Sequence, residues 1–275
     1  MNLTTAVLLG IVQGITELFP VSSSAHLVIL QSFFPDFRQP GVAFDVVVHL
    51  GTLAAVIVYF RSEIWNMAKS ILPQNITASP LETENDFRAG RKLLALIIIG
   101  TIPAAFFGFL FQEKIHAIFD SARMAAFFLI ITGLLLFFSD RVGSTPRGEK
   151  EMSITDAILI GLAQSIALLP GISRSGATIS AGIFRHINRT ASARFSFLLS
   201  LPAICGAAIL ESPYLKHISP QEIFSYTAGF LCAALAGLAS LKLFFLIIRK
   251  ARLEYFAYYC WALALFTLLV KSYFF

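Results

Sequence analysis

Long apolar runs separated by short polar stretches set the pattern of this chain. Six of the runs read as spanning helices: 42–60, 93–111, 124–139, 195–210, 223–248 and 255–270. A span needs about 20 mostly apolar residues, and the shorter runs gain a turn from their flanks. Two further apolar segments, 1–35 and 154–190, are broken in the middle. Each carries a proline followed by a serine-rich break, Pro20-Val21-Ser22-Ser23-Ser24 in one and Pro170-Gly171-Ile172-Ser173-Arg174-Ser175 in the other.

The basic residues orient this layout. Loop 61–92 carries Arg61, Lys69, Arg88, Arg91 and Lys92, loop 140–153 carries Arg141, Arg147 and Lys150, and 249–254 carries Arg249, Lys250 and Arg252. The other connections are poor in Lys and Arg, with Lys114 and Arg123 in 112–123, Lys216 in 211–222 and Lys271 in the tail. The positive-inside rule makes the first three loops cytoplasmic. Span 42–60 then starts outside, and span 195–210 starts inside. The broken segments must each enter and leave on one side, from opposite faces, as re-entrant helix–loop–helix hairpins.

A weak internal repeat agrees with that orientation. At an offset of 151, Gly10, Gln13, Ser22, Ser24, Phe44 and Leu50 fall on Gly161, Gln164, Ser173, Ser175, Phe195 and Leu201. Gly100 and Gly108 recur with the same spacing at Gly229 and Gly237. The expected fold is an all-α integral membrane protein forming one membrane domain, with six spans and two re-entrant hairpins in an inverted-topology repeat. The first half is 1–139 and the second 154–275.

Composition supports the membrane reading. Of 275 residues, 57% are hydrophobic and 13% charged, against about 25% charged in ordinary soluble domains; the mean hydropathy is +0.76. The net charge of +5 sits in loops, which argues against a nucleic-acid partner. Cys205, Cys232 and Cys260 lie in apolar stretches without CxxC spacing and read as packing residues. No basic n-region or cleavage pattern marks a signal peptide, so Leu3 to Phe19 is expected in the mature protein.

Irregular backbone at membrane depth is tolerated only inside protein or against a wet cavity, and the two hairpin tips are expected to meet there. They bring Gln13, Glu17, Ser22, Ser23, Ser24 and His26 from one side, and Ser173, Arg174, Ser175 and Thr178 from the other. Each break precedes a helix, roughly 24–34 and 176–187, whose free N–H groups favour an anion. Arg174 adds a fork suited to phosphate. Gln13 and Glu17, four apart, share a helix face and could hold a divalent cation, or Glu17 could act as a base. Ser23 and His26 fall on one face if helical, placing an imidazole near a hydroxyl that attacks phosphorus; water attack with His26 as base is the alternative. The repeat is asymmetric here, since Glu17, Ser23 and His26 correspond to Leu168, Arg174 and Ala177. Any one serine is as compatible with helix capping, and the constellation carries the inference. Asp45 and His49, four apart on a span, read as cavity wall in preference to a proton-handling pair. His116, His186 and His217 read as interfacial or loop residues.

The run Gln13-Gly14-Ile15-Thr16-Glu17-Leu18-Phe19-Pro20-Val21-Ser22-Ser23-Ser24-Ala25-His26 resembles the (E/Q)xxxE…PxSSxxH signature of bacterial undecaprenyl-diphosphate phosphatases of the bacitracin-resistance type. Pro170-Gly171-Ile172-Ser173-Arg174-Ser175-Gly176-Ala177-Thr178 is similar to that family's second motif, PGxSRSxxT. Length and apolar layout agree across essentially the whole chain; Ala25 stands where glycine is frequent. The resemblance implies hydrolysis of the C55 carrier diphosphate to its monophosphate, recycling the lipid used in cell-wall (peptidoglycan) synthesis. It also implies a divalent cation, Mg2+ or Ca2+, a site opening to the outer face of the inner membrane, and a homodimer. By motif position Glu17, Ser23, His26 and Arg174 carry over as central residues, with Gln13, Ser173, Ser175 and Thr178 in support. The rival reading is a transporter or lipid flippase, for which inverted repeats with midplane sites are typical.

Overall fold

The computed structural model describes residues 1–34, 42–72, 84–119, 121–143, 147–216, 218–250 and 252–274, with the side chains of 112–119 and 271–274 left out. Pro73, Pro80, His217 and the side chains of Lys114, His116 and Lys271 fall outside the described residues. Among those described, the chain is all-helical, with no strand. The principal helices are α1 (Leu3–Thr16), α2 (Ser23–Gln31), α3 (Ala43–Tyr59), α4 (Arg61–Ile71), α5 (Glu84–Phe119), α6 (Ala122–Ser139), α7 (Ile154–Ile166), α8 (Arg174–Phe184), α9 (Arg189–Leu210), α10 (Ile223–Ile247) and α11 (Glu254–Phe274), with short turns of helix at Glu149–Glu151 and Ser212–Leu215.

Among the described residues, four helices are long and apolar enough to cross a membrane: Glu84–Phe111 of α5, α6, α9 and α10. The pair α3 and α4 passes the same test jointly, bent by 74° at Phe60. The 17-residue stretch Glu254–Val270 of α11 is apolar but shorter, as are α1 and α7. The exposed surface of these helices is apolar; Phe109 is 76% exposed, Leu246 74% and Ile209 72%. Water would penalise such a surface and lipid does not, so the chain is a multi-pass membrane protein.

Several boundaries differ from expectation for local reasons. The spans expected at 93 and 195 begin earlier, at Glu84 and Arg189. Glu84 and Asp86 sit in the first turn of α5, where carboxylates complement the helix dipole, and Glu84 accepts from Arg88 at 2.7 Å. Thus 84–92, expected in a loop, are helical. At α9 the Asn188 side chain accepts from the Ala191 amide at 2.9 Å, a capping bond that starts the helix six residues early. Within the loop expected at 61–92, Arg61–Ile71 forms α4.

Close backbone contacts set how the short helices dock. A Cβ at Gly10 of α1 would lie 2.4 Å from the Gly229 carbonyl of α10, and one at Gly161 of α7 would lie 2.2 Å from the Gly100 carbonyl of α5. These four positions are the pairs matched by the internal repeat, used in exchanged fashion. Each helix that precedes a serine-rich break therefore packs on a long helix of the other half. α2 folds back on α1, and α8 on α7.

The base of α7 is held by a buried carboxylate. Asp156 is fully buried, accepts from Arg147 at 2.5 Å and from Arg185 at 2.9 Å, and takes the Ser153 amide at 2.9 Å. Arg185 lies just past the end of α8, so one charge network clamps both ends of the second broken segment. His186, expected as a loop residue, follows with φ 59°, turning the chain out of α8.

Candidate functional site

The breaks after α1 and α7 meet, and their contacts lock them tip to tip. The Ser24 hydroxyl accepts from the Gly171 amide at 3.3 Å, and the Ser175 hydroxyl donates to the Phe19 carbonyl at 3.3 Å. Thr132 of α6 supports the second tip from behind, donating to the Gly171 carbonyl and accepting the Ser173 amide, both at 2.9 Å. Gly171 has φ 102°, and a Cβ there would lie 2.2 Å from the Ala125 carbonyl, so only glycine fits the turn. Ser22 has φ 66° without being glycine. Its strained backbone is retained where the chain turns into α2.

Glu17 is the centre of the polar network. It is 8% exposed, and both its carboxylate oxygens are engaged. One accepts from Arg174 Nη2 at 2.8 Å. The other accepts from the Ser23 hydroxyl at 2.5 Å and from Gln13 Nε2 at 3.1 Å, with His49 Nε2 at 3.4 Å. The carboxylate from the first tip, the hydroxyl opening α2 and the guanidinium opening α8 thus converge on one point. An unpaired carboxylate buried this far would be costly; a neighbouring guanidinium makes the charge tolerable.

This point opens into a cavity of about 620 Å³, large enough for a drug-sized ligand. Its polar end is formed by Glu17, Ser22, Ser23, Ser24, Ser173, Arg174 and Ser175, with Asp45 and His49 of α3 beside them. Its long wall is apolar, built from α5 around Ala104–Phe109 and α9 around Pro202–Leu210. A site with a charged head and a greasy wall suits an amphiphile.

The expected residues do not all reach the cavity. Ser22 and Ser173 spend their hydroxyls partly as caps, accepting from Ala25 N at 3.4 Å and Gly176 N at 3.0 Å. Thr178 is fully buried behind the cavity, bonded to the Arg174 carbonyl at 2.8 Å and the Ser196 hydroxyl at 2.6 Å. Gln13 likewise lies behind Glu17. His26 points the other way. Its Nδ1 donates to the Ser22 carbonyl at 2.7 Å, so its Nε2 is the acceptor from the Tyr259 hydroxyl of α11, also at 2.7 Å. Ser23 therefore has Glu17, not His26, as its hydrogen-bond acceptor. α2 starts at Ser23, and three residues along its first turn the imidazole faces α11. Asp45 and His49 do line the cavity; Asp45 accepts from Gln31 at 2.7 Å. Sequence reasoning missed Tyr259 and Thr132. Each is a polar position in an apolar span, a signal shared by many packing residues.

Among the described residues no group of three or more His, Cys, Asp and Glu could hold a metal on its own. A Mg2+-type site needs only one or two carboxylates when substrate phosphates complete the shell. Glu17 offers one, and the buried Gln13 Oε1 beside it has no hydrogen-bond partner. The residues fit a cation shared with a phosphate ligand, not a closed protein cage.

The comparisons with known proteins bear on this arrangement. A family model described as Bacitracin resistance protein BacA matches residues 6–266. The chain belongs to the BacA family. Its relatives within that family are near full length. A Syntrophotalea carbinolica protein named undecaprenyl-diphosphatase is 42% identical over 261 residues, covering 95% of this chain and 96% of the relative. A protein of the same name from Carboxydothermus hydrogenoformans is 38% identical over 279 residues, covering 99% and 98%. One from Korarchaeum cryptofilum is 41% identical over 264 residues, covering 94% and 96%.

Proposed function

We propose that this protein is a phosphatase that hydrolyses undecaprenyl diphosphate to undecaprenyl phosphate and inorganic phosphate. The observation that carries it is the Ser23–Glu17–Arg174 cluster at the polar end of an apolar-walled cavity, in a chain of the BacA family. The diphosphate sits at the polar end, and the first isoprene units run along α5 and α9.

Each group has a role its geometry supports. Arg174 uses one N–H on Glu17 and a second, at 3.5 Å, on the Ser196 carbonyl; guanidinium carries five, and the rest hold phosphate oxygens. Ser23 is the nucleophile. Its oxygen forms a bond to the terminal phosphorus while the bond from that phosphorus to the bridging oxygen breaks, and polyprenyl phosphate leaves. Glu17, 2.5 Å from the hydroxyl, takes its proton. Water then cleaves the phosphoserine, releasing inorganic phosphate and restoring Ser23. The amides opening α2 and α8, with the hydroxyls of Ser22, Ser24, Ser173 and Ser175, line the phosphate seat. His26 and Thr178 act as positioning residues, holding the Ser22 carbonyl and the first turn of α8. Glu17 would hold a divalent cation, Mg2+ or Ca2+, together with substrate oxygens, with Gln13 steadying the carboxylate from behind; bound there, the cation would neutralise phosphate charge.

The topology we propose has six spans and two re-entrant hairpins, in inverted repeats over 1–139 and 154–275. The exchanged glycine contacts of Gly10 with Gly229 and of Gly161 with Gly100 support it. The basic loops then face the cytoplasm, the site opens to the outer face of a bacterial inner membrane, and the product feeds peptidoglycan synthesis. A homodimer is part of the same reading.

Purified protein in detergent tests the whole proposal. It is expected to release inorganic phosphate from a polyprenyl diphosphate, to stop when divalent cations are chelated, and to restart on adding them. Ser23→Ala is expected to abolish turnover and the phosphoenzyme trapped by rapid acid quench. Substantial turnover by Ser23→Ala would transfer the nucleophile's role to water, and no release by the wild type would refute the function.

A further inference from the structure

Gln164 of α7 lines the cavity and is 1% exposed, yet neither its amide nitrogen nor its oxygen has a hydrogen-bond partner. A buried primary amide is expected to be bonded, and one left empty is costly. Gln164 is also the repeat counterpart of Gln13. In the first half, Gln13 donates to Glu17 four residues later. In the second half the residue four later is Leu168, which lines the same cavity and accepts nothing. Thr101 on the same wall is already occupied, donating to the Ile97 carbonyl at 2.7 Å, and Ser165, next in the chain, donates to the Gly161 carbonyl at 3.0 Å. The asymmetry that gave one half the carboxylate left the other half with an unpartnered amide packed in the cavity wall.

We infer that Gln164 is a substrate-binding residue whose side chain turns from the wall into the occupied cavity, where its Nε2 donates to a phosphate oxygen of the diphosphate and its Oε1 accepts from a phosphate hydroxyl or a water held with it. This rests on the phosphatase reading above and adds a phosphate contact contributed by α7, outside the two serine-rich tips. An amide adds a donor without adding charge. It holds the anion and leaves the charge balance between Glu17 and Arg174 unchanged.

The test pairs kinetics with binding. Gln164→Leu keeps the size and removes both polar atoms; Gln164→Met does the same with a more adaptable chain. Neither breaks a protein hydrogen bond, so the thermal midpoint is expected to stay level or rise. The affinity for a non-hydrolysable prenyl methylenediphosphonate is expected to fall about ten- to a hundredfold, as for a lost bond to a charged group. KM for the diphosphate is expected to rise in parallel with a smaller change in kcat. Gln164→Glu, which sets a carboxylate against the phosphate, is expected to bind more weakly still. Wild-type affinity in both Gln164→Leu and Gln164→Met would overturn the inference, and so would a fall in thermal midpoint that accounts for the lost binding. If the wild type neither binds the diphosphonate nor releases phosphate, the phosphatase reading itself fails, a result separable from wild-type-like behaviour of the variants.

Discussion

Glu17 accepts hydrogen bonds from Ser23, Gln13 and Arg174 with only two oxygens, and lies 3.4 Å from His49. That density explains why single side chains at this site are not interchangeable. Arg174 reaches from Glu17 to the proposed phosphate seat with a planar fork. A lysine has the charge but only a point ammonium at the end of a flexible stem. Arg174→Lys is expected to retain fold and membrane insertion while phosphate release falls by about two to three orders of magnitude, the scale of losing a preorganised donor to developing charge. Arg174→Ala is expected to fall further. Near-normal turnover by Arg174→Lys would mean that charge alone suffices. The motif residues were all visible in the sequence, but their partners were not. Ser23 and His26 are three apart, which suggested a working pair. Only the direction in which α2 leaves its cap shows that the hydroxyl faces Glu17 and the imidazole faces Tyr259.

Elements owe their positions to glycine contacts and buried caps more than to amphipathic faces, because lipid gives apolar helices no hydrophobic reason to associate. α1 and α7 sit where they do because backbone carbonyls of α10 and α5 approach Gly10 and Gly161 too closely for any side chain. Gly161→Val is expected to cost about 1–3 kcal/mol by overpacking, read as a lower thermal midpoint in detergent. Turnover is expected to drop as well, since α7 carries the Arg174 tip. Gly10→Val is expected to behave alike through α1. Gly143→Ala, with nothing within 4 Å of the new methyl, is expected to be silent. A harmless Gly161→Val would show that α5 and α7 can separate without disturbing the site. Long helices were legible from hydropathy, but starts at Glu84 and Arg189 and the separate helix α4 were not. There, polar sequence hides helix that is held by caps, ion pairs and packing on its neighbours.

At the scale of the whole molecule, two broken segments from distant parts of the chain build one site, and the proposed inverted orientation makes that possible. Single cysteines tested with a membrane-impermeant thiol reagent on intact cells check it. Cysteine at Lys216 is expected to label from outside, and cysteine at Arg88 or Arg147 only after permeabilisation. A cysteine pair at 23 and 174 is expected to join through a short bifunctional linker, since both native side chains reach Glu17. Labelling of position 88 from outside would remove the topology. By itself the sequence determined that the chain lives in lipid, where most of the long helices run and which two motifs are the candidates for the chemistry. Each follows from local composition: apolar length, Pro–Ser breaks and charges that no membrane helix carries without use. The tertiary structure decided which groups face one another. It paired Ser23 with Glu17, turned His26 toward Tyr259, moved Thr178 behind the cavity and left Gln164 free in its wall. Those outcomes depend on the docking of helices more than a hundred residues apart, and no local pattern encodes the rotation of one helix against another.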